Sequence, residues 1–179
     1  MKLFCEIVLI LVTASIIVSC SGSKNLANED KTMTATSLPC SEKGISDKDF
    51  FRACANATSS NINIAREKAI ILAKSELGKA IIAQTTNAAN KYASENAISD
   101  RSTFIKEIEL TANKAIDLAL KEIEPTCEKY NETNDRYTTY ISMEISRISI
   151  ANELIRLIST RNPNIDTERF GTLFSNSCK

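Results

Sequence analysis

Arg136-Tyr137-Thr138-Thr139-Tyr140-Ile141-Ser142-Met143-Glu144-Ile145-Ser146 alternates along its whole length. Tyr137, Thr139, Ile141, Met143 and Ile145 point one way, and Thr138, Tyr140, Ser142, Glu144 and Ser146 the other. Successive strand residues face opposite sides of a sheet, so the pattern predicts a half-buried antiparallel strand. Just upstream, Asn131-Glu132-Thr133-Asn134-Asp135 is a turn cluster. Before that, Pro125 ends any helix and Cys127 to Tyr130 extends into a strand. The two strands form a predicted hairpin.

Working outward, residues 64–92 carry the strongest helical signal, with no proline and only Gly78. Ala65, Ala69, Leu72, Ala73, Leu77, Ala80 and Ile81 recur at spacings of three and four, which places them on one face. Arg66, Glu67, Lys74 and Lys79 fall mostly elsewhere. The alanines permit close approach to a sheet or another helix. Residues 49–56 read as a first strand, ended by the turn-prone cluster Thr58-Ser59-Ser60-Asn61, which offers N-cap oxygens to the long helix. A second helix is capped by Ser99-Asp100 or Ser102 and continues through Phe104, Ile105, Ile108, Thr111, Ala112, Ala115, Ile116 and Ala119. A third spans 148–158, with Ile148, Ala151, Leu154, Ile155 and Ile158 on one face, and stops at Arg161-Asn162-Pro163-Asn164. The predicted class is α+β: a small antiparallel sheet packed against a long alanine-striped helix and further helices.

The two ends read differently. Residues 1–19 have the parts of a secretory signal, with Lys2 as the positive region and an apolar run behind it. That run is too short for a transmembrane helix and is interrupted by Glu6. Residues 20–46 are rich in Ser, Thr, Asn and Lys without an apolar period, and read as a tether. The domain is expected at 47–160 and a C-terminal tail at 161–179, where Phe170, Leu173 and Phe174 are placed to dock back.

Charge and composition exclude several functions. The 22 basic and 22 acidic residues cancel, so the net charge is zero, and no basic run is visible. Neutralising phosphates supplies most nucleic-acid affinity, so no nucleic-acid partner is expected. Histidine is absent. This removes the usual general base near neutral pH, the Ser-His and Cys-His nucleophile pairs, and the commonest ligands of catalytic zinc.

Cys40, Cys54, Cys127 and Cys178 remain beyond the signal, besides Cys20. An exported chain meets an oxidising compartment where cysteines pair. Four cysteines allow three connectivities. Cys40 and Cys178 lie in the end segments and Cys54 and Cys127 in predicted strands, which favours Cys40 with Cys178 and Cys54 with Cys127. A zinc site from all four thiolates is the alternative, and no CxxC spacing supports it. Cys54 also reads as a small buried hydrophobe.

Ile17-Val18-Ser19-Cys20 closes the apolar run and resembles the lipobox of bacterial lipoproteins. The resemblance implies cleavage between Ser19 and Cys20, a diacylglyceryl group on the Cys20 thiol and acyl chains such as palmitate on the new amino terminus. Each buried methylene contributes about 0.8 kcal/mol, so several chains anchor a domain durably. Ser21 stands where an aspartate would imply retention in the inner membrane, so the outer membrane is implied. The stretch Phe50-Phe51-Arg52-Ala53-Cys54-Ala55, followed by Ala65-Arg66-Glu67-Lys68-Ala69 and Ala73-Lys74-Ser75-Glu76-Leu77, resembles the LPP-twenty (twenty-kilodalton) family of bacterial lipoproteins. The likeness covers about residues 50–146. Cys54 or Ala55 stands where that family often has a glycine. The family implies cell-envelope proteins and no catalytic residues.

No P-loop, G-x-G-x-x-G, H-E-x-x-H or G-x-S-x-G pattern occurs. Glu122, Glu124 and Glu128 cluster before the hairpin and are expected to be a solvated face, with a carboxylate or calcium site as the alternative. Asn56-Ala57-Thr58 and Asn131-Glu132-Thr133 match the glycosylation triplet and read as turn chemistry. Tyr130 and Tyr140 with Thr138 and Ser142 form a candidate interaction surface on the hairpin. The expectation is a non-enzymatic envelope lipoprotein anchored through Cys20, without cofactor or metal, with an interaction or structural role. Its partners are the membrane through its acyl chains and a protein partner or a second copy. A lipid-anchored ligand-binding module is the alternative.

Overall fold

The computed structural model describes residues 38–176. The expected signal segment, Cys20, most of the expected tether and Cys178 lie outside them. Three strands, β1 (Phe50–Ser59), β2 (Cys127–Thr133) and β3 (Arg136–Ser146), form one antiparallel sheet in the order β1-β3-β2. The helices are α1 (Ile62–Glu95), α2 (Arg101–Leu120), α3 (Arg147–Arg161) and α4 (Thr167–Ser175). The fold is α+β, with α1 laid over β1 and β3.

The hairpin is closed by Asn134 and Asp135, at φ 50° and 57°. Both central residues of a type I′ turn need positive φ, and Asn and Asp tolerate it. The turn sets Thr133 opposite Arg136 and Cys127 opposite Ser142. β1 runs to Ser59, pairing Thr58 with Thr138 and Ser59 with Tyr137. The predicted turn cluster therefore begins too early, because cross-strand pairing overrides the turn preference of Thr58 and Ser59.

Asn61 caps α1, its Oδ1 accepting from the backbone N–H groups of Asn63 and Ile64. At 34 residues, α1 is about 50 Å long and outruns the sheet. Ala65, Ala69, Ala73, Leu77 and Ile81 are buried in its first half. They meet the sheet's inner face, formed by Phe51, Ala53, Ile141, Met143 and Ile145. Leu72, expected on this face, is 47% exposed, because the four-residue alanine spacing leaves it to one side. The second half buries Ala88, Ala89, Tyr92 and Ala93 against other helices. The Tyr92 ring stacks on Phe104 and tilts against Phe170. Its hydroxyl accepts from the Asp166 N–H.

The face of α3 is rotated from the expected one. Ile150, Leu154, Leu157 and Ile158 are buried, and Ile148 is 70% exposed. The helix starts directly at the end of β3, and the Ser146 cap fixes its phase. The core also extends beyond residue 160. Residues 161–179, read as a tail, contain α4, whose Phe170, Leu173 and Phe174 are buried.

Candidate functional site

Two places on this frame gather polar chemistry. The first is the outer face of the sheet, away from α1. Cys54 pairs with Ser142, and Ser142 with Cys127, so the three form one row across the strands. Residues 38–47 fold over this row. Cys40 is bonded to Cys127. The Ser142 hydroxyl donates to Lys43 O at 2.6 Å, and Gly44 sits on Cys54. The Ser46 hydroxyl donates to Arg52 O and accepts from Arg52 N–H, while the Asp47 carboxylate accepts from the N–H groups of Asp49 and Phe50. Arg52 reaches both Asp47 and Glu144. The guanidinium, with the two N–H groups, lowers the Asp47 pKa to about 2.

The pairing Cys40–Cys127 corrects both expected disulfides. Cys54 and Cys127 are two strand spacings apart, about 10 Å, beyond the roughly 7 Å limit for bridging two Cα atoms. Cys40, brought over the row by the turn at 41–44, has its Cα 5.7 Å from that of Cys127. Cys54 is a free thiol, and burial pushes its pKa up. A low pKa is what makes a thiol reactive, so this environment favours an inert group. Cys178 lies outside the described residues.

The candidate hairpin surface is divided. Tyr130 pairs with Thr139, whereas Tyr140 pairs with Lys129, so the two tyrosines lie on opposite faces. Ser142 is fully buried under Lys43. Glu128 is bound to Arg66 of α1, at 2.8 and 3.0 Å. No group of His, Cys, Asp or Glu among the described residues is placed to hold a metal. Both glycosylation-like triplets lie in strands, β1 and β2, where they had been expected in turns.

The second place is a groove of about 300 Å³ between α3 and α4, which the sequence reading missed. Ile148, Ala151, Ile155 and Phe174 supply its apolar lining, and Lys48, Gln84 and Arg147 its polar one. Gln84 is buried in α1. Its Nε2 donates to Phe174 O at 2.7 Å, and its Oε1 accepts from Arg147. Arg147 also donates from Nε to Asp47 O, and its guanidinium lies 3.9 Å over the Phe51 ring. Arg147 therefore ties the groove to the segment that covers the sheet. Gln84, together with Thr85, interrupts the apolar stripe of α1, which is the signal the sequence offers.

No helix among the described residues is long and apolar enough to cross a membrane. Comparisons with protein-family models, with curated proteins and with solved structures return no match.

Proposed function

We propose that this chain is a non-enzymatic cell-envelope lipoprotein of the LPP-twenty kind. It is held on the bacterial outer membrane by acyl chains on Cys20 and has an interaction or structural role. The Cys40–Cys127 disulfide carries the reading. Such a bond persists in oxidising compartments and is rare in the cytosol. It therefore fits export through the signal-like segment that precedes it. The bond also fastens the chain to its domain 20 residues after Cys20, which leaves a short span to the lipid. The test is fractionation with metabolic palmitate labelling. The wild-type chain should label and sediment with envelope membranes, and Cys20→Ser should lose the label and leave the membrane or stay as precursor. A labelled, processed Cys20→Ser variant would sink the reading.

The groove favours a second reading, a lipid-anchored ligand-binding module. Its volume is at the small end of ligand sites, and it combines apolar walls with a few polar groups. The Lys48 cation in its lining suits an anionic amphiphile. Titration with a medium-chain fatty acid, followed by chemical shifts of Ile148 and Ile155, separates the readings.

A further inference from the structure

The two outer edges of the sheet are protected unequally. On β1, Arg52 gives both its N–H and its C=O to Ser46, and Phe50 gives both of its own to Asp47. These groups therefore point away from β3. The β1–β3 register is unbroken from Phe50 to Ser59, so the even-numbered residues Asn56 and Thr58 point their backbone groups the same way. The covering segment stops at Cys54, where Gly44 sits. Beyond it no backbone bond among the described residues reaches the edge of Asn56 or Thr58. Both residues are exposed.

Natural edges carry lysine, proline, bulges or a cover against unwanted pairing. β2, the other edge, has Glu128, Lys129 and Glu132 in seven residues. Ala55-Asn56-Ala57-Thr58-Ser59 has no charge, no proline and no bulge. The strand edge itself is neutral and built of small residues, so pairing it with a copy sets no like charges directly opposite within the sheet.

The helix above the edge agrees. Arg66, one residue after buried Ala65, reaches Glu128 of β2, and Lys74, one after Ala73, reaches Lys121. That side of α1 faces β2 and α2. Residues one position before the alanines, Ile64, Lys68 and Leu72, then face the open edge of β1. Ile64 is 45% and Leu72 47% exposed there.

We infer that the open edge of β1 at residues 55–59 pairs antiparallel with the same edge of a second copy. A two-fold axis near Ala57 sets Asn56 against Thr58 of the partner copy and Thr58 against Asn56, and each pair exchanges two backbone hydrogen bonds. The result is a continuous sheet in which β1 is no longer an edge. Strands pair at about 4.8 Å, and α1 lies over β1 and β3. The two α1 axes then stand about 10 Å apart, an ordinary helix-packing distance. Ile64 and Leu72 of both copies become the apolar contact between them, with Lys68 on the same face turning its ammonium to solvent. The inference deepens the interaction role proposed above by naming the partner.

The test is sedimentation equilibrium of the full chain in density-matched detergent. A dimer is expected. Thr58→Pro, which removes one N–H donor per copy, and Asn56→Lys, which puts a charge on each copy beside the seam, should each raise its dissociation constant by about tenfold or more. Neither change removes a backbone bond to β3, Thr58→Pro losing only the side-chain bond to the Thr138 hydroxyl, and thermal midpoints check that each variant folds. The Asn56 and Thr58 amides should exchange more slowly as protein concentration rises. A monomer at every concentration overturns the inference, as does a dimer unaffected by both substitutions. Protection of these amides only on adding a different chain overturns it too. A monomer that still sediments with membranes through Cys20 would refute the pairing and leave the anchoring proposal standing.

Discussion

Gly44 lies against Cys54 so closely that a Cβ on the glycine would be 2.5 Å from the cysteine Cβ and 3.2 Å from its backbone nitrogen. The contact seats the covering segment on the row of Cys54, Ser142 and Cys127. The glycine is needed for the space, since no glycine among the described residues has positive φ. Gly44→Ala should force the segment up and cost about 1–3 kcal/mol, the usual range for overpacking. Cys54 should then alkylate faster under native conditions. An unchanged alkylation rate and an unchanged denaturation midpoint would contradict this packing.

The disulfide closes a loop of sequence separation 87. Removing a native bridge typically costs about 2–5 kcal/mol. Cys40→Ala with Cys127→Ala should lower the thermal midpoint accordingly, and reductant should lower that of the wild type alone. Peptide mapping under non-reducing conditions should recover Cys40 joined to Cys127 and Cys54 unbridged to either. A Cys54–Cys127 peptide would refute the strand order.

Ala69 and Ala73 are fully buried where α1 meets the sheet. Ala69→Leu should overpack that contact by about 1–3 kcal/mol. Lys74, whose Nζ makes only an exposed 3.4 Å bond to Lys121 O, should tolerate Ala within about 0.5 kcal/mol. Equal urea midpoints for the two variants would mean the alanine stripe does not face the sheet.

Asp47 has its pKa lowered from 3.8 to about 2, first by the Arg52 hydrogen bond and then by the backbone N–H groups of Asp49 and Phe50. A depressed carboxylate pKa contributes stability that is present above the unfolded value and lost as pH falls through the folded one. Stability from this group should therefore decline between about pH 4 and pH 2. Asp47→Asn should flatten the thermal midpoint across that window relative to wild type. Parallel midpoint curves for both proteins would rule out the contribution.

The frame was legible where a pattern repeated for long enough. β3 shows its bounds in eleven alternating residues ending at Ser146, which then caps α3. The alanines of α1 repeat every fourth residue and are buried as their spacing requires. What failed depended on register or strand order. Whether Tyr130 and Tyr140 share a face is decided by the two-residue turn at Asn134 and Asp135, and periodicity within one strand does not contain that information. The Cys54–Cys127 pairing failed on strand order, which the pattern within one strand does not contain either. Both cysteines were placed in strands, and strand order alone puts β3 between them. The groove was illegible because Lys48, Gln84, Arg147 and Phe174 come together only through tertiary packing.

The bridge between Cys40 and Cys127 also decides how the molecule bears a mechanical load. β1, α1 and α2 all lie between the two bridged residues. Tension applied between the chain's two ends passes across the sulfur–sulfur bond into β2, β3, α3 and α4. It bypasses the intervening segment, which cannot be drawn out while the bond holds. A pulling experiment should therefore extend less than half of the domain in oxidant and release the remainder only after reduction.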